Sequence, residues 1–186
     1  PIINKFSVSS LCGNKMLTSI ILKKNNIPTP KTYFSFSADA ALENIEKIGY
    51  PLIIKPVIGS WGRSVIPLKD RDTADAIIEQ RGITDGPLDR IFYLQEVVDR
   101  PPRDIRVITV NDRPIAAMYR KSSGGFKTNV ALGADPEICD ITNEIEDLCA
   151  KASKAVGGGI LGIDLMEDKK RGLMVHEINN TVEFKG

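Results

Sequence analysis

Three oxygen-bearing side chains near the C-terminal end of the chain stand at a spacing that could do chemistry: Asp164 in GIDLME, and Glu177 with Asn179 in VHEIN. Both segments read as strands, joined by the polar turn Asp168-Lys169-Lys170-Arg171-Gly172. Residues two apart on a strand share a face, so Glu177 and Asn179 project together. A loop running from Lys169 to Gly172 sets Asp168 opposite Leu173 and Asp164 opposite Glu177. Opposed side chains have Cβ atoms about 4.5 to 5.5 Å apart, and two like charges there repel. Something positive is therefore expected between them. Two carboxylates and a carboxamide suit a hard cation, and so sparse a set fits Mg2+, which keeps waters and takes phosphate oxygens, better than a Ca2+ cage. In the alternative reading Asp164 and Glu177 face solvent, one of them paired with a lysine of the turn. His176, the only histidine, falls on the opposite face and reads as a packed or surface residue rather than a base.

A second candidate is the glycine-rich loop GSWGRS, residues 59 to 64, which follows Lys55-Pro56. It lacks the GxxxxGK[ST] spacing, and a strand, Val65 to Lys69, follows it instead of a helix. Strand, glycine loop, strand describes a flap. Gly59 and Gly62 remove side-chain obstruction, so backbone N–H groups can approach phosphate oxygens, while Arg63 and Lys55 add charge. An ordinary hairpin with an exposed lysine is the competing reading. Trp61 at the tip is either part of a lid or packed beneath the loop.

These residues need a scaffold. Met16, Leu17, Ile20 and Ile21 have helical spacing and predict a helix over residues 14–25; Ser37 caps a second, with Ala41, Leu42, Ile45 and Ile48 inward and Gly49 as its stop. Residues 51–56 and 65–69 read as strands, Asp72 caps a helix through Gln80, and strands follow at residues 91–98, 105–110 and 114–120. Residues 121–137 read as a polar loop, residues 141–156 as a helix. The fold class is α+β with antiparallel sheets, and Pro101-Pro102 and Gly157-Gly158-Gly159 are the candidate joints. With 186 residues, 42% hydrophobic and 26% charged, the chain has enough apolar content for a sizeable core. A net charge of +1 gives no bulk attraction to nucleic acid or an anionic membrane, and neither is expected as a partner. The sequence has neither a bilayer-length apolar run nor a signal-peptide pattern, so the expected location is cytoplasmic. Cys12, Cys139 and Cys149 form no zinc or disulfide pattern and read as small apolar residues.

Taken in order, Lys15, Lys55-Pro56, GSWGRS, Gln95-Glu96-Val97-Val98, Asp104-Ile105-Arg106, Asn129, Asp164 and Glu177-Ile178-Asn179 resemble an ATP-grasp ligase. The likeness covers essentially the whole chain. It is greatest to the branch holding the ribosomal-protein glutamate ligase RimK and the LysX/ArgX ligases, and within it to the glutamate-specific ArgX type. The resemblance implies two α+β lobes with a nucleotide cleft between them. It divides the chain into an entry segment 1–14 from an absent N-terminal domain, a flap-bearing lobe 15–98, and a lobe 99–186 with the metal site.

It further implies ATP and Mg2+ as cofactors. Lys15 and Lys55 would meet phosphate or base; Gly59, Ser60, Trp61, Gly62, Arg63, Ser64 and Val65 would cover the phosphates. Gln95, Glu96, Val97 and Val98 would read the adenine edge, with Asp104 on the ribose hydroxyls. Arg120 and Asn129 would lie along the triphosphate of ATP and, with Lys127, would be catalytic, and Asp164, Glu177 and Asn179 would hold Mg2+. The implied reaction passes through an acylphosphate to an amide, joining the α-amine of glutamate to the C-terminal glutamate side chain of an acidic carrier protein, LysW, in a protein expected to be a homo-oligomer. Asn180, Thr181, Glu183, Phe184 and Gly186 resemble the substrate end of the site, and Gly186 favours glutamate over α-aminoadipate. Glutamate addition to another protein's C-terminus and a non-catalytic nucleotide-binding module are the other readings. Keeping all three metal ligands argues against the last.

Overall fold

The computed structural model describes residues 3–59, 64–84, 86–121 and 137–182. Contacts divide the chain into two compact units, residues 30–97 and residues 1–29 with 98–186. The sequence expectation placed the helix after residue 14 with the flap; the structure instead packs it in the unit that ends the chain. The reason is its apolar face. α1 (Phe6–Cys12) and α2 (Lys15–Lys24) bury Val8, Cys12 and Leu22 in one core with Ile105, Ile163, Cys149 and Val175.

In the unit of residues 30–97, β1 (Thr32–Ser35), β2 (Leu52–Lys55), β3 (Ile66–Leu68) and β4 (Phe92–Glu96) form an antiparallel sheet in the order β1-β4-β2-β3. α3 (Ala38–Ile48) and α4 (Arg71–Ile83) cover one face, where Ala41, Ile45, Ala74 and Ile78 meet Leu52, Ile54, Phe92 and Leu94. Both helices begin on side-chain caps: Ser37 Oγ accepts from the Ala40 N–H and Asp70 Oδ1 from the Thr73 N–H. The expected cap at Asp72 lies two residues late. Pro67, which has no N–H to give a ladder, stands in the edge strand β3. Strand alternation leaves Ile53, Lys55, Tyr93 and Gln95 on the face away from the helices.

The other unit is built on an antiparallel sheet of order β7-β6-β5-β8-β9. β5 (Arg103–Val110) and β6 (Arg113–Lys121) turn at Asn111-Asp112, both at positive φ (48° and 67°), the conformation a two-residue hairpin requires. β7 (Glu137–Ile138) is a short strand that begins at the last residue of the stretch read from sequence as loop. α5 (Asn143–Val156) packs Ile145, Leu148, Cys149 and Ala152 onto the face that carries Val107, Leu161, Ile163 and Ile178. Gly157, Gly158 and Gly159 are a turn from α5 into β8 within this unit, all at positive φ, and not a joint between units.

β8 (Ile160–Asp168) and β9 (Gly172–Asn179) form the last hairpin. Asp164 pairs with Glu177, as the sequence predicts, but Asp168 pairs with Gly172 rather than Leu173. The loop is one residue shorter than expected, and a bulge beside Asp164 restores the register. His176 is the extra residue, standing between Val175, opposite Leu165, and Glu177.

Candidate functional site

The face of the larger sheet turned away from α5 carries the charged residues. Arg106, Asp164 and Glu177 lie side by side in one cross-strand row, and Asn179 lies in the next row opposite Gly162. Asn179 Nδ2 is 3.4 Å from Asp164 Oδ2 and 3.4 Å from the Gly162 carbonyl. The three predicted metal ligands are therefore neighbours. Among the described residues no three histidines, cysteines or carboxylates gather as a metal cluster, because the third oxygen donor here is a carboxamide.

The expectation was of a positive charge between the carboxylates; the structure gives each carboxylate its own cation from the protein. Arg106 grips Asp164 with two nitrogens, Nε on Oδ1 and Nη2 at 3.0 Å from Oδ2. Arg120 Nη2 lies 3.0 Å from the same Oδ1, and Lys15 Nζ lies 3.0 Å from Glu177 Oε1. The expected alternative of a turn lysine is not what pairs them. Lys15 is the first residue of α2, held there by Asn14, whose Oδ1 accepts from the Met16 and Leu17 N–H groups.

Asp104, expected on the ribose hydroxyls, is engaged by a side chain of the protein. It is 2% exposed, and both its oxygens accept from Arg120, at 2.7 and 2.9 Å. Burial works against the charge of Arg120, but Asp164 and Asp104 outweigh it and hold the guanidinium pKa above its ordinary value. Asp104 thus aims Arg120, and Arg120 reaches Asp164. The carboxylates Asp104, Asp164 and Glu177 are matched one for one by Arg120, Arg106 and Lys15.

In the smaller unit Lys55 is buried, with Nζ donating to Gln95 Oε1 at 2.6 Å and lying 5.9 Å from the centre of the Tyr93 ring. Gln95 Nε2 is fixed in turn by Tyr93 Oη and Thr32 Oγ1, both at 3.1 Å. The carboxamide oxygen is thereby aimed at Lys55. Glu96 is tied to Lys31 twice: its N–H donates to the Lys31 carbonyl at 3.0 Å, and its Oε1 accepts from the Lys31 N–H at 2.8 Å. Val97 is exposed and Val98 buried, at the boundary of the two units. Of the flap, β2 and β3 form its antiparallel stem, and Gly59 and Ser64 both take positive φ, 146° and 56°; Val65 leads into β3. Ser60, Trp61, Gly62, Arg63, Lys127, Asn129, Glu183, Phe184 and Gly186 lie outside the described residues. Asn180 and Thr181 follow β9 directly. The Asn180 carbonyl accepts from Asn4 Nδ2 at 2.8 Å, and Asn4 also brackets the Ile160 backbone.

Arg106 and Asn4 are the participants sequence reasoning missed as site residues. Arg106 was legible in part, since it sits two residues after Asp104 in a strand and so shares its face. Asn4 gave no signal, because its partners lie at the other end of the chain.

A structure of a RimK domain ATP-grasp protein from Sphaerobacter thermophilus superposes with a TM-score of 0.80 over 100% of this chain and 65% of that one, at 22% identity. Two α+β units with antiparallel sheets and a strand, glycine loop, strand element are thus an ATP-grasp fold. Residues 12–186 match the RimK-like ATP-grasp domain family. Alpha-aminoadipate–LysW ligase LysX of Saccharolobus solfataricus is 40% identical over 100% of this chain and 67% of its own length. Glutamate–LysW ligase ArgX of Sulfolobus acidocaldarius is 35% identical over 99% of this chain and 66% of its own. The chain belongs to the RimK-like ATP-grasp family, and it spans about two thirds of the length of these curated relatives. ATP-grasp ligases use ATP with Mg2+. The donors present fit that ion: two carboxylates in register and an adjacent carboxamide, all oxygen, on one face.

Proposed function

We propose that this chain is the nucleotide- and metal-handling part of a ligase that joins the α-amine of an acidic amino acid to the C-terminal glutamate side chain of a small carrier protein, LysW. The observation that carries the reading is the set Asp164, Glu177 and Asn179 on one sheet face, backed by Arg106, Arg120 and Lys15, in a chain so similar to two LysW ligases.

In the first step an oxygen of the carrier's carboxylate bonds to the γ-phosphorus of ATP, the bond from that phosphorus to the bridging oxygen breaks, and ADP leaves. In the second the amine nitrogen bonds to the acyl carbon, phosphate leaves with the C–O electrons, and the nitrogen loses a proton. Catalysis rests on positioning and charge. Mg2+, when bound through Asp164, Glu177 and Asn179, supplies neutralisation of phosphate charge. Arg120, aimed by Asp104, adds a guanidinium beside that site, and Lys127 and Asn129 complete the catalytic set. Lys55, aimed by Gln95, serves the nucleotide, as do the flap residues 59–65 and the segment Gln95 to Val98.

Gly186 favours glutamate as the amino acid, and Asn180, Thr181, Glu183 and Phe184 would shape its pocket. The higher identity to LysX, 40% against 35%, favours α-aminoadipate as the second reading. We place the reaction in the cytoplasm of a homo-oligomeric protein; among the described residues no helix is long and apolar enough to cross a membrane. The test supplies the full-length protein with ATP, Mg2+, LysW and each amino acid in turn. ADP release with a mass gain on the carrier equal to one glutamate residue, glutamate less water, is expected. A gain only with α-aminoadipate would overturn the glutamate assignment, and no ADP with either would overturn the ligase.

A further inference from the structure

The charge balance on the metal face raises a physical difficulty. Three carboxylates are already paired with three cationic side chains before any ion arrives, and a fourth cation, Arg100, is close enough to feel both Asp104 and Arg120. A divalent cation entering here adds two charges with nothing to offset them, and it must share Asp164 with two guanidinium groups already in place.

The two arginines are not equivalent. Arg120 has a second, bidentate partner in Asp104 and is buried, so it keeps a full set of charge-assisted bonds if Asp164 turns toward an ion. Arg106 has Asp164 as its bidentate partner and is the more exposed, at 19% of its side chain against 10%. Its guanidinium lies flat on β8. A Cβ placed on Gly162 would come within 2.9 Å of Arg106 Nη1 and 3.4 Å of its Cδ, so the absence of a side chain at 162 makes room for this one rotamer. Gly162 is also the register partner of Asn179. The guanidinium therefore lies over Gly162 and against Asp164, on the β8 positions that face Asn179 and Glu177. Asn179 presents its NH2 toward Asp164, the orientation that suits a carboxylate without an ion; a half-turn of the carboxamide would offer oxygen instead.

We propose that Arg106 is a built-in counter-cation, standing in for the metal on Asp164 while the site is empty and moving off when a divalent ion is loaded. This rests on the metal-face reading given above. Arg106 is thus a positioning residue: it keeps the carboxylate ordered and discourages a bare ion from binding without nucleotide. Once displaced, its guanidinium is released beside the site for an anionic oxygen of the bound substrates.

The test measures Mn2+ binding to the full chain without nucleotide, by the loss of the free-ion EPR signal. Arg106→Gln removes the competing charge and is expected to tighten Mn2+ binding about tenfold. Arg106→Lys keeps the charge and should stay near the wild-type value, an outcome that a merely structural role would not give. Gly162→Ala pushes the guanidinium off β8 and should tighten binding without touching any charged residue; it carries the test if Arg106→Gln does not fold by circular dichroism. Unchanged or weaker Mn2+ binding in both variants would overturn the proposal. Asp164→Asn distinguishes the layers: if Mn2+ binding survives that change intact, the metal-face reading itself fails.

Discussion

Replacing Asp104 with Asn tests whether that residue is a structural anchor for Arg120 or a nucleotide contact. Asp104, Asp164, Arg106 and Arg120 together carry no net charge, and Asp104, Asp164 and Arg120 are each less than 9% exposed. The substitution leaves the group at +1, with Arg120 dependent on Asp164 alone. Removing one partner of a buried pair costs about 3 to 5 kcal/mol; since the Asn oxygen can still accept one bond, the lower end, about 3 kcal/mol, is expected. At about 2 to 4 °C per kcal/mol for a chain of this size, the melting temperature should fall by about 6 to 12 °C. The assay is urea denaturation followed by far-UV circular dichroism, with Arg120→Met and the double variant completing a cycle. The double variant should lose less than the sum of the singles by about 2 kcal/mol or more. Additive losses, or a single loss under about 1 kcal/mol accompanied by weakened discrimination between ATP and its 2′-deoxy analogue, would refute the anchoring argument and return Asp104 to the ribose.

Two further perturbations follow from particular atoms. Thr109 Oγ1 is buried without a hydrogen-bond partner among the described residues, so Thr109→Val should stabilise the chain by about 1 kcal/mol, seen as a raised urea midpoint; a lowered midpoint would mean that the hydroxyl binds a buried water. Asp168 accepts from Arg171 Nη2 at 2.7 Å and from the Lys170 and Arg171 N–H groups, and these hold its pKa down to about 2. A folded-state value below the unfolded one means that its stabilisation is complete above about pH 4 and is lost as pH falls toward 2. Arg171 is 44% exposed, so screening by water reduces the effect to about 1 kcal/mol. Asp168→Asn should therefore cost that much at pH 6 and almost nothing at pH 2 in chemical denaturation, and a loss independent of pH would contradict the assignment.

Much of this was legible in the chain because local rules and fold agree. Ser37 and Gly49 bracket α3, Asn111-Asp112 turns β5 into β6, and an apolar-polar alternation set Asp164 beside Glu177. The pairing was reached through a wrong loop length, which a bulge at His176 corrects. Its trace is visible in the apolar phase: Val175 and Ile178 both face the core, three residues apart where an unbroken strand would give two or four. What sequence could not supply depends on distant partners. The grouping of α2 with the C-terminal unit follows from Val8, Cys12 and Leu22 meeting residues more than eighty positions away. The commitment of Asp104 to Arg120, and of Asp164 to Arg106, likewise arises from strand register rather than from spacing along the chain.

The central claim is that the Asp164, Glu177 and Asn179 face serves a metal-dependent ATP reaction. Its most direct test is ADP formation by the full-length Glu177→Gln protein with ATP, Mg2+, carrier and amino acid, alongside binding of an adenine nucleotide measured in the same preparation. Turnover should be abolished while nucleotide binding is largely kept, since Lys55 and Gln95 stand on a different unit from Glu177. Wild-type turnover by the variant would contradict the account.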